Sequence, residues 1–187
     1  MKVVISMLRG VNVGGHNKVA MEPLRSLYAS LGLLDAQTYV QSGNVVFRTK
    51  EKNLVSLAAK IESAIERSFG FRPSVILRTT SELRVAIAAN PFASRSGIEP
   101  SKLLVTFLAA GPSAESKQKA LSIKADPEEL HISGRELYIY FPNGMARPKL
   151  SMASVERALK IPGTGRNWNS VTKLLAMAES LEGRIKP

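Results

Sequence analysis

Two glycine-containing strings follow one design, and this most narrows what the chain can fold into. The first is TYVQSGNVVF, Thr38 to Phe47; the second is LHISGRELYIYF, Leu130 to Phe141. Each reads as an apolar strand, a Ser-Gly corner and a second strand ending in Phe. Upstream of each lies another matched pair, KVVISMLRG from Lys2 and KLLVTFLAAG from Lys102. A strand, a connecting segment and a hairpin therefore occur twice in the same order. This predicts an α+β protein of two tandem, similar units.

The remaining periodicities fill in the units. Val3 to Leu8 is a short continuous apolar run, as in a buried strand. Gly10 to Asn17 is a glycine- and asparagine-rich loop. Leu24, Leu27, Tyr28 and Leu31 have helical spacing, closed by Gly32. Leu54, Leu57, Ala58, Ile61 and Ile65 form an amphipathic stripe ending near Gly70, and Val75 to Leu77 is a fourth strand. The first half thus reads βαββαβ, the order of a ferredoxin-like unit. A short helix, Ser81 to Ala89, leads to Asn90-Pro91-Phe92 and a polar stretch. This places an N-terminal subdomain at 1–92, a linker at 93–100 and a C-terminal subdomain at 101–187.

The second subdomain repeats a strand from Leu103, a helix from Ser113 to Ile123, the hairpin and a helix from Ser151 to Lys160. A last helix after Pro162-Gly163 carries Val171, Leu174, Leu175, Ala178 and Leu181, with no strand visible after it. The expectation is an incomplete ferredoxin-like copy, βαββα, with an extra C-terminal helix. One sheet shared by both units is the alternative.

Composition limits the partners. No cysteine is present, so there is no disulfide framework or thiolate site. No signal-peptide pattern and no membrane-length apolar run occur, which together predict a cytoplasmic protein without a membrane partner. The net charge is +11. Residues 1–50 hold six basic against two acidic side chains, and residues 147–187 hold eight against three, whereas residues 101–146 are balanced. If the ends meet, they build a face that attracts anions; a general solubilising charge explains the same counts.

Three segments could carry chemistry. In LRGVNVGGHNK, Leu8 to Lys18, a strand runs into a glycine-rich loop and then a helix. Glycines let backbone N–H groups approach an anion, and the next helix N-terminus adds its dipole. Arg9 and Lys18 add full charges around Gly10, Asn12, Gly14 and Gly15. The spacing matches neither a Walker loop nor a dinucleotide fingerprint, and an ordinary tight turn is the competing reading. His16 in this loop and His131 are the two histidines, and no acidic or cysteine cluster has metal-ligand spacing. In QSGNVVF, turn chemistry explains Gly43 and Asn44, while Gln41 and Ser42 could orient a ligand. In TGRNWNSV, Asn167 or Asn169 can cap the last helix, Trp168 is an apolar anchor, and Arg166 suits a phosphate or carboxylate, with Lys149 joining it.

In this order and spacing, LRGVNVGGHNK, QSGNVVF, NPF and TGRNWNSV resemble a bacterial domain-of-unknown-function family, the one numbered sixteen ninety-seven. The resemblance covers essentially the whole chain. It implies a small bacterial α+β protein and no established activity, substrate or cofactor. The matching positions are Arg9, Gly10, Asn12, Gly14, Gly15, Lys18, Gln41, Ser42, Gly43, Asn44, Arg166, Asn167, Trp168 and Asn169. Pro148 stands where the pattern leads one to expect Ser, and Ser170 where Thr is more usual.

These readings predict one basic polar site for an anionic, phosphate-bearing small molecule such as a nucleotide, with the N- and C-terminal segments pooled. Such a set is rich in amides and poor in acids, so it clamps charge and offers few proton-transfer groups. The alternatives are single-stranded nucleic-acid binding, with Phe47, Phe107, Tyr138 and Tyr140 as stacking aromatics, and a structural homodimer through sheet edges.

Overall fold

The computed structural model describes residues 1–184. The chain divides into two compact units, Met1–Arg84 with Lys173–Pro187, and Val85–Thr172. The 93–100 stretch falls inside the second of them. The described chain is a mixed α+β protein with two separate four-stranded antiparallel sheets and six α-helices.

The first unit runs β1 (Lys2–Leu8), α1 (Met21–Ser30), β2 (Leu34–Tyr39), β3 (Asn44–Thr49), α2 (Leu54–Phe69) and β4 (Val75–Thr79), with strand order β2-β3-β1-β4. Alternation along β1 explains its position. Val4 and Leu8 join Leu24 and Tyr28 of α1 and Leu57, Ile61 and Ile65 of α2 in one core. Ser6 shares that face, and its hydroxyl meets the Tyr28 hydroxyl at 2.8 Å. Val3, Ile5 and Met7 are buried on the opposite face. A strand buried on both sides reads as a continuous apolar run, as KVVISML does. The ends of α2 follow local rules: the Asn53 side chain accepts from the Ser56 N–H at 3.0 Å, and Gly70 closes the helix at φ 78°. Helix α3 (Thr80–Ala88) follows, and its Arg84 is ion-paired with Glu179 at 2.9 Å.

The second unit runs β5 (Leu103–Leu108), α4 (Ala114–Leu121), β6 (Glu129–Ser133), β7 (Glu136–Tyr140), α5 (Met152–Leu159) and β8 (Gly163–Asn167), with strand order β6-β7-β5-β8. Helix α6 (Trp168–Glu182) begins at its end. Leu108, Ile139, Val155 and Leu159 sit at the centre of its own core.

Strand β8 corrects the expected βαββα copy: the second unit is a full βαββαβ. Its sequence, GTGRN, has the composition of a turn. Here the glycines serve close packing. A Cβ on Gly163 would lie 2.9 Å from Leu108 Cδ2 and from Thr106 Cγ2, and one on Gly165 would lie 3.2 Å from Leu104 Cδ1. The strand can pair with β5 because those two residues have no side chain.

The polar stretch at 93–100 is anchored. The Arg95 guanidinium donates to both carboxylate oxygens of Glu129 at 2.7 Å and lies 5.7 Å from the Tyr140 ring centre. The Glu129 hydrogen bond raises the Arg95 pKa, and the same bond holds the Glu129 carboxyl below the usual range.

Candidate functional site

The segment between β1 and α1 is built from left-handed backbone. Gly10, Asn12, Gly14, Gly15 and Asn17 all have positive φ, between 50° and 80°. Gly14 and Gly15 are the two central residues of a tight turn in which the His16 N–H donates to the Val13 carbonyl at 3.1 Å. Positive φ at both positions is the hairpin turn that glycine accommodates without strain.

Asn12 holds this loop in place. Its side-chain amide donates to the carbonyls of Val19 at 2.9 Å and Gln41 at 2.8 Å, and its oxygen accepts from the Val19 N–H at 2.8 Å. Asn17 adds a bond to the Gly10 carbonyl at 3.0 Å. The glycine loop and the β2–β3 corner are thereby tied together by one amide. Nothing in the local pattern around Asn12 announces this, because its partner Gln41 belongs to a different hairpin.

Between these segments lies an open cleft of about 500 Å³, lined by Asn12, Gly15, Lys18, Val19, Ala20, Met21 and Gln41. Four expected residues therefore line one hollow. The Lys18 ammonium is exposed and has no acidic partner among the described residues. Helix α1 opens onto the cleft, and its N-cap, Ala20, gives it no side-chain cap. Its first-turn N–H groups keep their positive end toward the hollow. Glu22 in that turn is exposed and lies 3.5 Å from Arg25.

The corner residues do local work. Gly43 has φ 70°, and a Cβ there would lie 2.8 Å from Leu8 Cβ, so only glycine fits. Buried Asn44 donates to the Ser42 hydroxyl at 2.7 Å, which closes the corner from within. Arg9 is half-buried at the end of β1, and its N–H donates to the Ser74 carbonyl at 2.9 Å.

The remaining expected residues belong to the second unit. Arg166 is buried on β8, where it donates to the Thr164 hydroxyl at 2.7 Å and the Gly165 carbonyl at 2.8 Å. Burial pushes its pKa down to about 10, so it stays cationic at neutral pH. Asn167 caps α6, its side chain accepting from the Ser170 N–H at 2.9 Å, while Asn169 is exposed. The Lys149 side chain is exposed, and its backbone N–H, with that of Leu150, donates to the buried Glu128 carboxylate at 3.1 Å. Sequence reasoning passed over Glu128, since nothing in the polar run Asp126-Pro127-Glu128-Glu129 marks one of its acids as buried.

The four strand aromatics are interior. Phe47, Phe107 and Tyr138 are fully buried, and Tyr140 is 7% exposed. Among the described residues, no three His, Cys, Asp or Glu gather as a metal site needs. No described helix is long and apolar enough to cross a membrane.

Comparison with known proteins adds the following. A family model described as "Protein of unknown function (DUF1697)" matches residues 1–138. No curated protein matches the chain. Among solved structures, the chain is similar to the conserved bacterial protein SP0830 from Streptococcus pneumoniae, with a TM-score of 0.71 and 24% identity over 95% of this chain and 98% of that one. At that identity the likeness concerns the fold.

Proposed function

The chain therefore belongs to the DUF1697 family of proteins of unknown function, and we propose that its first unit binds a phosphate-bearing small ligand, such as a nucleotide, in the cleft beside Lys18. One observation carries this reading. An unpaired ammonium shares a hollow with the uncapped N-terminus of α1 and a glycine turn of positive φ. Lysine charge and helix N–H groups together make a phosphate receptor. A volume of about 500 Å³ suits a ligand of mononucleotide size. No carboxylate or histidine lines the cleft, so chemistry there would rest on positioning and charge stabilisation.

The shared connectivity also supports reading each unit as ferredoxin-like and the chain as a duplication. The lack of cysteine fits a reducing cytoplasm.

The test is a titration with mononucleotides and phosphorylated sugars at two salt concentrations, on the native chain and on Lys18→Ala. Binding should weaken with salt and fall about tenfold in the variant, the worth of one charge-assisted contact. If no phosphate ligand gives a salt-sensitive signal that Lys18→Ala loses, the reading fails. Tight, length-dependent binding of single-stranded RNA in the same assay would favour the nucleic-acid alternative instead. The burial of the strand aromatics removes its usual stacking platform. A concentration-dependent dimer in sedimentation would support the homodimer reading.

A further inference from the structure

A second polar region of the first unit takes no part in the cleft. It lies where β1 begins and β3 ends, around the register pair Lys2 and Thr49. The cleft occupies the other end of β1, past Leu8. Two adjoining hollows, about 390 and 290 Å³, share Met1, Thr49, Lys50 and Glu51 there.

The hollows combine two chemistries. The larger has an apolar floor of Leu31, Leu34 and Leu57. Leu57 is buried, Leu31 half-buried, and Leu34, the first residue of edge strand β2, is 42% exposed. Lys2, Lys50, Lys52 and Lys60 form the rim. Two of these are positioned by backbone: Lys2 Nζ donates to the Lys52 carbonyl at 3.3 Å, and Lys60 Nζ to the Leu31 carbonyl at 3.5 Å. The ammonium groups of Lys50 and Lys52 have no acceptor among the described residues. Glu51 is the one acid lining the hollows, and its Oε1 is engaged by the N–H groups of Lys52 and Asn53 at 3.0 and 3.3 Å.

Four lysines around one carboxylate give this end of the unit a positive potential that attracts anions. Their spread over two hollows suits several separated charges rather than one phosphate. The leucine floor beneath them suits an apolar group held between those charges. Ammonium groups are compact point charges that need no bidentate partner, so single carboxylates satisfy them.

We infer that this end of the first unit is a docking groove for an acidic protein segment that places one large apolar side chain over Leu31, Leu34 and Leu57 between carboxylates held by Lys2, Lys50, Lys52 and Lys60. The occupant is an extended peptide, and the groove acts independently of the Lys18 cleft.

The experiment measures fluorescence anisotropy with a labelled peptide carrying one leucine flanked on both sides by aspartates, at physiological ionic strength. Binding should fall more than about tenfold in the double variant Lys50→Glu/Lys52→Glu, which reverses two exposed charges. Replacing the peptide's leucine with serine should weaken binding roughly tenfold, the worth of burying one such side chain. Leu34→Ser should do the same from the other side, with melting curves confirming that each variant folds. Lys18→Ala should leave peptide binding unchanged, so the groove and the phosphate cleft stand or fall separately. The inference is overturned if the serine peptide binds as well as the leucine peptide, or if Lys50→Glu/Lys52→Glu binds normally. It is equally overturned if inorganic polyphosphate or single-stranded RNA displaces the peptide at lower charge concentration, which would make the region a generic anion surface.

Discussion

The two units share strand order and connectivity, yet they spend their loops differently. The first places Arg9 to Ala20 between β1 and α1, whereas the second places only Ala109 to Ser113 between β5 and α4. The matching is close elsewhere. Leu8 pairs with Val75 and Leu108 with Gly163; Ile5 pairs with Arg78 and Val105 with Arg166. Both fourth strands therefore carry a buried arginine at the same register, and Arg78 donates to the Leu77 carbonyl at 3.0 Å. A sheet and two helices are built with either connection, and the longer one also lends Val11 and Val19 to the first unit's core. It is the longer connection that creates the cleft with Lys18. The comparison separates what the two units share from what one of them alone carries.

The largest effect should come from exchanging the residues at one matched position. Gly163→Val, which installs the side-chain type that β4 has at Val75, forces a Cβ within 3 Å of Thr106 and Leu108. Overpacking of this kind should cost about 3 kcal/mol, read from denaturant melts. A stability near the native value would show that β8 tolerates side chains and that its glycines are incidental.

The two hairpin corners come next. Gly43→Ala combines positive φ with a 2.8 Å approach to Leu8 Cβ, whereas Gly134→Ala has φ 57° and only a carboxylate oxygen at 3.7 Å. The first should destabilise by roughly 2–3 kcal/mol and the second by about 1 kcal/mol. Equal losses would mean that backbone conformation alone sets the cost and packing adds nothing.

Asn12→Ala tests the longer loop itself. It deletes three hydrogen bonds at the base of the turn, each worth about 1 kcal/mol at most for a half-buried group. Amide exchange should accelerate in Arg9 to Ala20 and at Gln41 while β1 and β3 stay protected. Acceleration spread through the whole first sheet would show the loop to be integral to the fold.

The smallest effect is electrostatic and belongs to the second unit. Glu129 has its folded pKa lowered by the Arg95 hydrogen bond, so its contribution is present above the ordinary carboxylate range and is lost as pH falls through the lowered value. Glu129→Gln should flatten stability against pH below about 4.5 and leave it nearly unchanged at neutral pH, because exposed pairs contribute little. An unaltered acid limb would mean the pair contributes nothing, despite its geometry.

Local pattern carried much of this structure. The stripe from Leu54 to Ile65, the cap at Asn53, the closing Gly70 and the corner at Gly43 are written within a few residues of where they act. The glycine loop beside Lys18 was legible for the same reason, since positive φ leaves a compositional mark. The capping role of Asn167 was legible too, as one of two asparagines at a helix start.

Other features depend on partners far along the chain, and no local window shows them. GTGRN became a strand because Leu104, Thr106 and Leu108 of β5 leave room for glycine alone. Asn12 became the tie between two loops because Gln41, 29 residues later, offers its carbonyl at 2.8 Å. Amphipathic periods, turns and caps are decided by neighbouring residues, so the amino-acid order determined them unaided. Which surfaces approach closely enough to exclude a side chain, or to share one amide, is decided by packing, and only the folded chain brings those atoms together.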